Sequence, residues 1–254
     1  MLAMLQLAWL LIIVAVSGIN AEVPQNDCDV DITKHPYVVS VRRHGKHICS
    51  GVILDEYHIV TSDRCVPPFK HVWNIMNTMF VVTATNTLKP GGQQISTKEM
   101  FSQNHYLNPS NNPVISGLGV IKVLTRLQFG EKVKPIEVSE VEELPVGTKL
   151  QMVGWMMVNR EGKKTACLKE ATLEIADRQK CQTYQKKTLT ESEFCTQTVA
   201  EGDFCKGDSG SPLIYEGKLV GVATSGISCD NVPIPDVHPS IYKNIDYLYE
   251  IIKK

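Results

Sequence analysis

Eight cysteines, all between positions 28 and 229, constrain this chain more than any other feature. An even set of that size belongs where disulfides form and persist, outside a reducing cytosol. The amino terminus implies the same compartment. Leu7 to Val16 is an unbroken apolar run, followed by Ser17-Gly18-Ile19-Asn20-Ala21. A bilayer-spanning helix needs roughly 20 apolar residues. The run therefore reads as a secretory signal peptide over residues 1–21, with small residues that suit cleavage after Gly18 or Ala21, although no Lys or Arg precedes it. Residues 22–254 are then expected as one secreted, extracellular domain with no membrane span.

Downstream, short runs of β character recur, each closed by turn residues: Tyr37 to Val41, Val52 to Leu54, Phe80 to Thr83, Val120 to Val123, Leu150 to Val153, Pro212 to Tyr215 and Leu219 to Val222. Their spacing, without a strand-helix-strand rhythm, predicts an all-β sandwich or barrel. Only the C-terminus has helical spacing, with Ile241, Ile245, Leu248 and Ile252 ahead of Lys253-Lys254. Twenty-six Lys and Arg against 27 Asp and Glu leave a formal charge of -1, which argues against a nucleic-acid binder. The 43% hydrophobic content argues against disorder. Basic clusters at Arg42 to His47 and at Lys163-Lys164 read first as solvated loops, with a polyanion site as the lesser alternative. No Asn-x-Ser/Thr sequon is present, so N-glycosylation is not expected.

Gly207-Asp208-Ser209-Gly210-Ser211-Pro212 immediately precedes the strand Leu213-Ile214-Tyr215. A Ser between glycines invites a nucleophile reading, because the glycines let the backbone turn tightly and aim N–H groups at a developing oxyanion. With its surroundings, the chain resembles the trypsin/chymotrypsin-like serine protease family over nearly all of residues 22–254. His35 to Val41 looks like that family's first strand, Cys49 to Leu54 its second, and Val153-Gly154-Trp155 the start of its second barrel. The resemblance implies two six-stranded antiparallel β-barrels with the active-site cleft between them and a C-terminal α-helix. It also implies the disulfides Cys49–Cys65, Cys181–Cys195, Cys205–Cys229 and Cys28–Cys167, one choice among the 105 pairings that eight cysteines allow.

The family's chemistry needs a Ser nucleophile, a His base and an Asp that orients the His. Where the family carries Thr-Ala-Ala-His-Cys, this chain has Thr61-Ser62-Asp63-Arg64-Cys65, which puts Arg64 at the base position. A guanidinium stays charged and only donates, so it cannot take the Ser209 proton. The family's Asp opens a strand matched here by Gly117-Leu118-Gly119-Val120-Ile121-Lys122, so Gly117 offers no side chain at all. Only Ser209 remains, and a Ser without a base is a poor nucleophile. No substitute base suggests itself. His58 looks packed in its strand, His238 falls near the specificity pocket, the other His lie in expected loops, and Asp63 reads as an ion-pair or exposed turn residue.

In the family a freed N-terminal amine pairs with the Asp before the nucleophile, here Asp208. No matching start precedes Cys28, so Asp208 is expected to lack that partner and the oxyanion loop, Gly207 and Asp208, to rest in a zymogen-like state. The specificity pocket is altered too. Asp203 and Gly226 match a trypsin-like pocket, but Asp236 stands where a Gly keeps the slot open, and Ser225 replaces a Trp. Two facing carboxylates would repel or hold a cation, and a degenerated pocket is the favoured reading. The sequence thus points to a secreted, catalytically inactive serine protease homologue of arthropod type. It would act by binding proteins, for instance proteases, zymogens or inhibitors, with no metal or cofactor. A weak endopeptidase using Ser209 and a polyanion binder are the alternatives.

Overall fold

The computed structural model describes residues 28–67, 78–107, 116–156, 165–198, 208–224 and 234–254. The first six strands are β1 (Val38–Arg43), β2 (Lys46–Ile53), β3 (His58–Ser62), β4 (Met79–Thr83), β5 (Gln93–Ser102) and β6 (Leu118–Val123). They close into a barrel in the order β1-β2-β3-β6-β5-β4, and every pairing is antiparallel. The second six are β7 (Lys149–Gly154), β8 (Lys169–Ile175), β9 (Glu193–Thr198), β10 (Pro212–Tyr215), β11 (Lys218–Val222) and β12 (Asp236–Pro239). Their order is β11-β10-β7-β8-β9-β12, and the two edges meet at an antiparallel bridge between Gly221 and Ser240. The expected pair of six-stranded antiparallel barrels is the fold.

Two hairpins show how local sequence sets register. His44-Gly45 joins β1 to β2 and Glu216-Gly217 joins β10 to β11, and all four residues have positive φ. That is the two-residue turn whose twist matches paired strands, and it explains a Gly at the second place of each.

Strand residues alternate between two destinations. Val39, Val41, Ile59, Val81, Ile121 and Val123 fill the first barrel, and Leu150, Met152, Leu173 and Leu213 fill the second. Their neighbours Val38, Val60, Val120, Val153 and Ile214 face the seam between the barrels, where Trp155 is wholly buried. Burial on both faces makes these strands read as continuous apolar runs, and a period of two assigns the faces. β5 escaped the sequence reading because Gln93, Gln94 and Ser96, around the half-buried Ile95, are polar and exposed.

Three short helices lie among the described residues: α1 (Gln103–Leu107), α2 (Arg178–Thr183) and α3 (Ile245–Ile252). α3 docks on the seam through Tyr247, Leu248 and Ile251. A 3-10 turn at Tyr242–Asn244 precedes it, and within the helix Ile251 is buried at i+3 from Leu248 while Ile252, at i+4, is only half-buried. Three disulfides match the expected pairing: Cys28–Cys167, Cys49–Cys65 and Cys181–Cys195. The Cys205–Cys229 pair and the proposed signal peptide lie outside the described residues.

Candidate functional site

Ser209 follows β9 and opens β10, and the backbone around it is clamped between the barrels. The Ser50 N–H of β2 donates to the Ser209 carbonyl at 2.9 Å, and the Gly210 N–H donates to the Ala223 carbonyl at 2.6 Å. Gly210 has φ +85°, and a Cβ there would lie 2.0 Å from the Ser50 carbonyl oxygen and 2.2 Å from Thr61 Oγ1. Only glycine satisfies both the conformation and the space. The Ser209 hydroxyl donates to the Thr224 carbonyl at 3.1 Å.

Asp208 is buried and its carboxylate is already engaged. Oδ2 accepts from His47 Nε2 at 2.5 Å and from Ser50 Oγ at 3.0 Å. His47 Nδ1 meets Ser40 Oγ at 2.9 Å, and Ser40 Oγ in turn accepts from Arg42 Nε at 3.1 Å. Arg can only donate, and Ser40 is fully buried. The arrangement that uses every proton of the chain has the Ser40 hydroxyl donating to Nδ1 and the His47 Nε2–H donating to Asp208. Trp155 walls the imidazole, with ring centroids 5.3 Å apart.

This network corrects two expectations. His47 lies on β2 and not in a loop, and Arg42 and His47 are not solvated members of a basic cluster. The Arg42 guanidinium is buried, with one terminal nitrogen unpartnered, and burial lowers its pKa. Of that cluster only Arg43, His44 and Lys46 face solvent as charged or titratable side chains. Period-two alternation would not have found His47, because a bulge opposite Val41 and Arg42 puts it out of phase with Cys49, which packs in the first barrel, and turns it to the face of Ser40 and Ser50.

Arg64 sits on a 3-10 turn, Asp63–Cys65, pinned to β2 by the Cys49–Cys65 disulfide and capped by Ser62. Its side chain is exposed. Asp63 is neither exposed nor paired with Arg64, contrary to expectation. It turns inward, where Oδ2 accepts from Asn104 Nδ2 of α1 at 2.8 Å and Oδ1 is buried without a partner. The reason is the space at Gly117. A Cβ on Gly117 would lie 3.1 Å from Asp63 Cβ and 3.1 Å from Asn104 Nδ2. A carboxylate therefore still stands beside position 117, but it is carried by residue 63.

The segment bearing Gly117 is held across the seam by buried polar side chains. Glu193 of β9 accepts from the Ser116 N–H and hydroxyl at 2.7 and 3.0 Å, and from Thr190 N–H and Oγ1 at 2.8 and 2.9 Å. Gln103 accepts from the Leu118 N–H at 2.8 Å and donates to Asn244 Oδ1 at 2.5 Å.

Three of the other histidines are engaged elsewhere. His58 bonds Asp55, whose pKa falls because bonds from His58 and from the Tyr57 N–H outweigh the opposing effect of burial. His35 bonds Tyr37 and Glu170, and burial raises the Tyr37 pKa. His238 of β12 meets Thr196 Oγ1 through Nε2 at 2.8 Å, while its Nδ1 is buried without a partner. Burial pushes its pKa down to about 3, so the ring is neutral. Asp236, two residues earlier and on the same strand face, is half-buried and pairs with Thr196. Gly207, Asp203, Gly226, Ser225 and Lys163-Lys164 lie outside the described residues. The described residues contain no group of three or more His, Cys, Asp or Glu placed to hold a metal ion.

Comparison with known proteins agrees with this architecture. Chymotrypsin-2 of Vespa crabro is 27% identical over 215 residues, covering 85% of this chain and 93% of its own. A scabies mite inactivated protease paralogue superposes with a TM-score of 0.72 at 25% identity, covering 88% of this chain and 95% of its own. Mouse neuropsin, a serine protease, superposes with a TM-score of 0.75 at 22% identity, over 89% of this chain and 98% of its own, and speaks for the fold. The trypsin family matches residues 27–252, from just before the first disulfide to the end of α3, so this chain is a member of the trypsin family.

Proposed function

We propose that this protein is a secreted, catalytically inactive member of the trypsin family that acts by binding other proteins. The observation that carries the reading is the exchange at positions 63, 64 and 117. Arg64 takes the place of the proton acceptor, Gly117 removes the carboxylate that would orient it, and Asp63 fills the vacated space with a carboxylate bonded to Asn104. A Ser in such a site has no group to take its proton, and losing a triad in a convergent serine protease costs about 10⁶-fold in turnover. The state of Asp208 points the same way. Its carboxylate is satisfied by His47 and Ser50, which supports a zymogen-like oxyanion loop, with Asp208 turned away from any N-terminal amine. Asp236 beside the pocket argues against ordinary recognition of a basic residue. The relative named as an inactivated protease paralogue makes such a fate plausible for this fold. Secretion is supported by the leader sequence and by the disulfides.

Partners of protease, zymogen or inhibitor type fit a retained scaffold. The test compares the wild-type protein with Ser209→Ala, both with disulfides formed. We expect neither to hydrolyse Arg- or Lys-containing peptides above background, and both to co-purify the same partner from the native fluid with equal yield. Hydrolysis by the wild type that disappears in Ser209→Ala would assign the protein to the enzymes instead.

A further inference from the structure

On the second barrel, away from Ser209, a cavity of about 310 Å³ opens between the connector 141–146, the start of α2 and strand β9. None of residues 63, 64, 117 or 208 to 211 lines it. Its walls are apolar: Leu144, Val146, Ile175, Phe194 and Val220. Val146 is 65% exposed at the mouth, next to Val141 at 42%, so the apolar lining continues to the surface.

The charges around the mouth do not cancel. Lys243 bonds Glu142, and that bond, followed by the fields of Glu142, Glu143 and Glu191, raises its pKa. The Arg178 fork is spent on the carbonyls of Glu193, Leu189 and Thr190, with Glu191 only at 4.0 Å. The Glu193 carboxylate takes its four donors from Ser116 and Thr190. That leaves Glu143 with no bond and Glu191, its side chain 90% exposed, with one distant cation. Four carboxylates stand against two cations around an apolar hollow.

We infer that this pocket binds a small organic monocation with an apolar body, of the alkyl- or arylalkylammonium class. The body sits against Leu144, Val146 and Phe194, and the ammonium sits at the mouth between Glu143 and Glu191. An anion would meet repulsion there, and a neutral ligand would gain no attraction from the two solvated carboxylates. A cavity of this size holds one ring or a short branched chain, which sets the scale of the ligand. The inference does not depend on whether Ser209 is active.

The probe is 4-phenylbutylammonium, titrated into the full secreted protein by calorimetry with methyl NMR to locate it, beside 4-phenylbutanol and 4-phenylbutyrate. The ammonium is expected to bind about tenfold more tightly than the alcohol, with the butyrate weaker still, and to shift the methyls of Leu144 and Val146. Glu143→Gln with Glu191→Gln is expected to reduce the ammonium to the affinity of the alcohol. Asp203→Asn, at a position that the family resemblance assigns to the cleft's specificity pocket, is expected to leave binding unchanged. Equal affinity for the three ligands, no saturable binding up to about 10 mM, or loss of binding in Asp203→Asn alone would each overturn the inference.

Discussion

On the Ser209 side of the cleft the loop still fits its surroundings. Asp208 accepts from His47 and Ser50, the Ser209 carbonyl takes the Ser50 N–H, and Gly210 occupies a place open only to glycine. On the Gly117 side the site has been refilled. A side chain from the neighbouring turn occupies the space beside Gly117, and one of its carboxylate oxygens is buried without a partner. The contrast teaches that the two sides answer to different demands. The loop is part of how the barrels meet, so it is held by folding itself, whereas position 117 serves folding only through its backbone. Ser116 and Leu118, on either side, carry the bonds to Glu193 and Gln103.

The largest test of that contrast removes the partner of Asp208. His47→Ala leaves a buried carboxylate with one donor, and we expect a loss of about 3–5 kcal/mol in urea unfolding with the disulfides intact. The double variant with Asp208→Ala should lose less than the sum of the single changes. A loss below about 1 kcal/mol would mean that the loop is not held by this pair.

A smaller effect separates His238 from the cleft. A His whose folded pKa lies near 3, against an ordinary 6.5, takes up its proton only on unfolding. The unfolded chain then binds more protons between those values, and stability is lost as pH falls through that window. The slope due to this group is on the order of 1.4 kcal/mol per pH unit below about 6.5. His238→Gln should flatten the stability profile between pH 6 and about 4.5 relative to wild type. An unchanged profile would show that the ring is protonated in the folded protein.

The smallest effect lies in the refilled half. Gly117→Asp crowds Asp63 and Asn104, so its cost should fall by about 1 kcal/mol when Asp63→Ala is present. Additive costs would show that Asp63 does not fill that space. The same reasoning says that Arg64→His with Gly117→Asp alone will not yield appreciable peptidase activity, which a chromogenic peptide assay checks.

Much of the fold was legible because strands buried on both faces leave apolar runs, and because cysteine spacing narrows the pairing once the family is in view. Strands with one wet face, such as β5, leave no such run. The site was legible only in part. Arg64 and Gly117 declare themselves by what their side chains cannot do, which needs no geometry. The inward turn of Asp63 depends on a hole left by a residue 54 positions further along the chain. The bond from His47 to Asp208 spans 161 residues and joins two barrels, so no local pattern announces it.

The central claim is that Ser209 has no base, and its reactivity toward an activated fluorophosphonate tests this most directly. The account predicts labelling of the disulfide-bonded protein far below one equivalent under conditions that saturate an active trypsin-like enzyme, and no difference between wild type and Ser209→Ala. Stoichiometric labelling at Ser209, absent from Ser209→Ala, would contradict it.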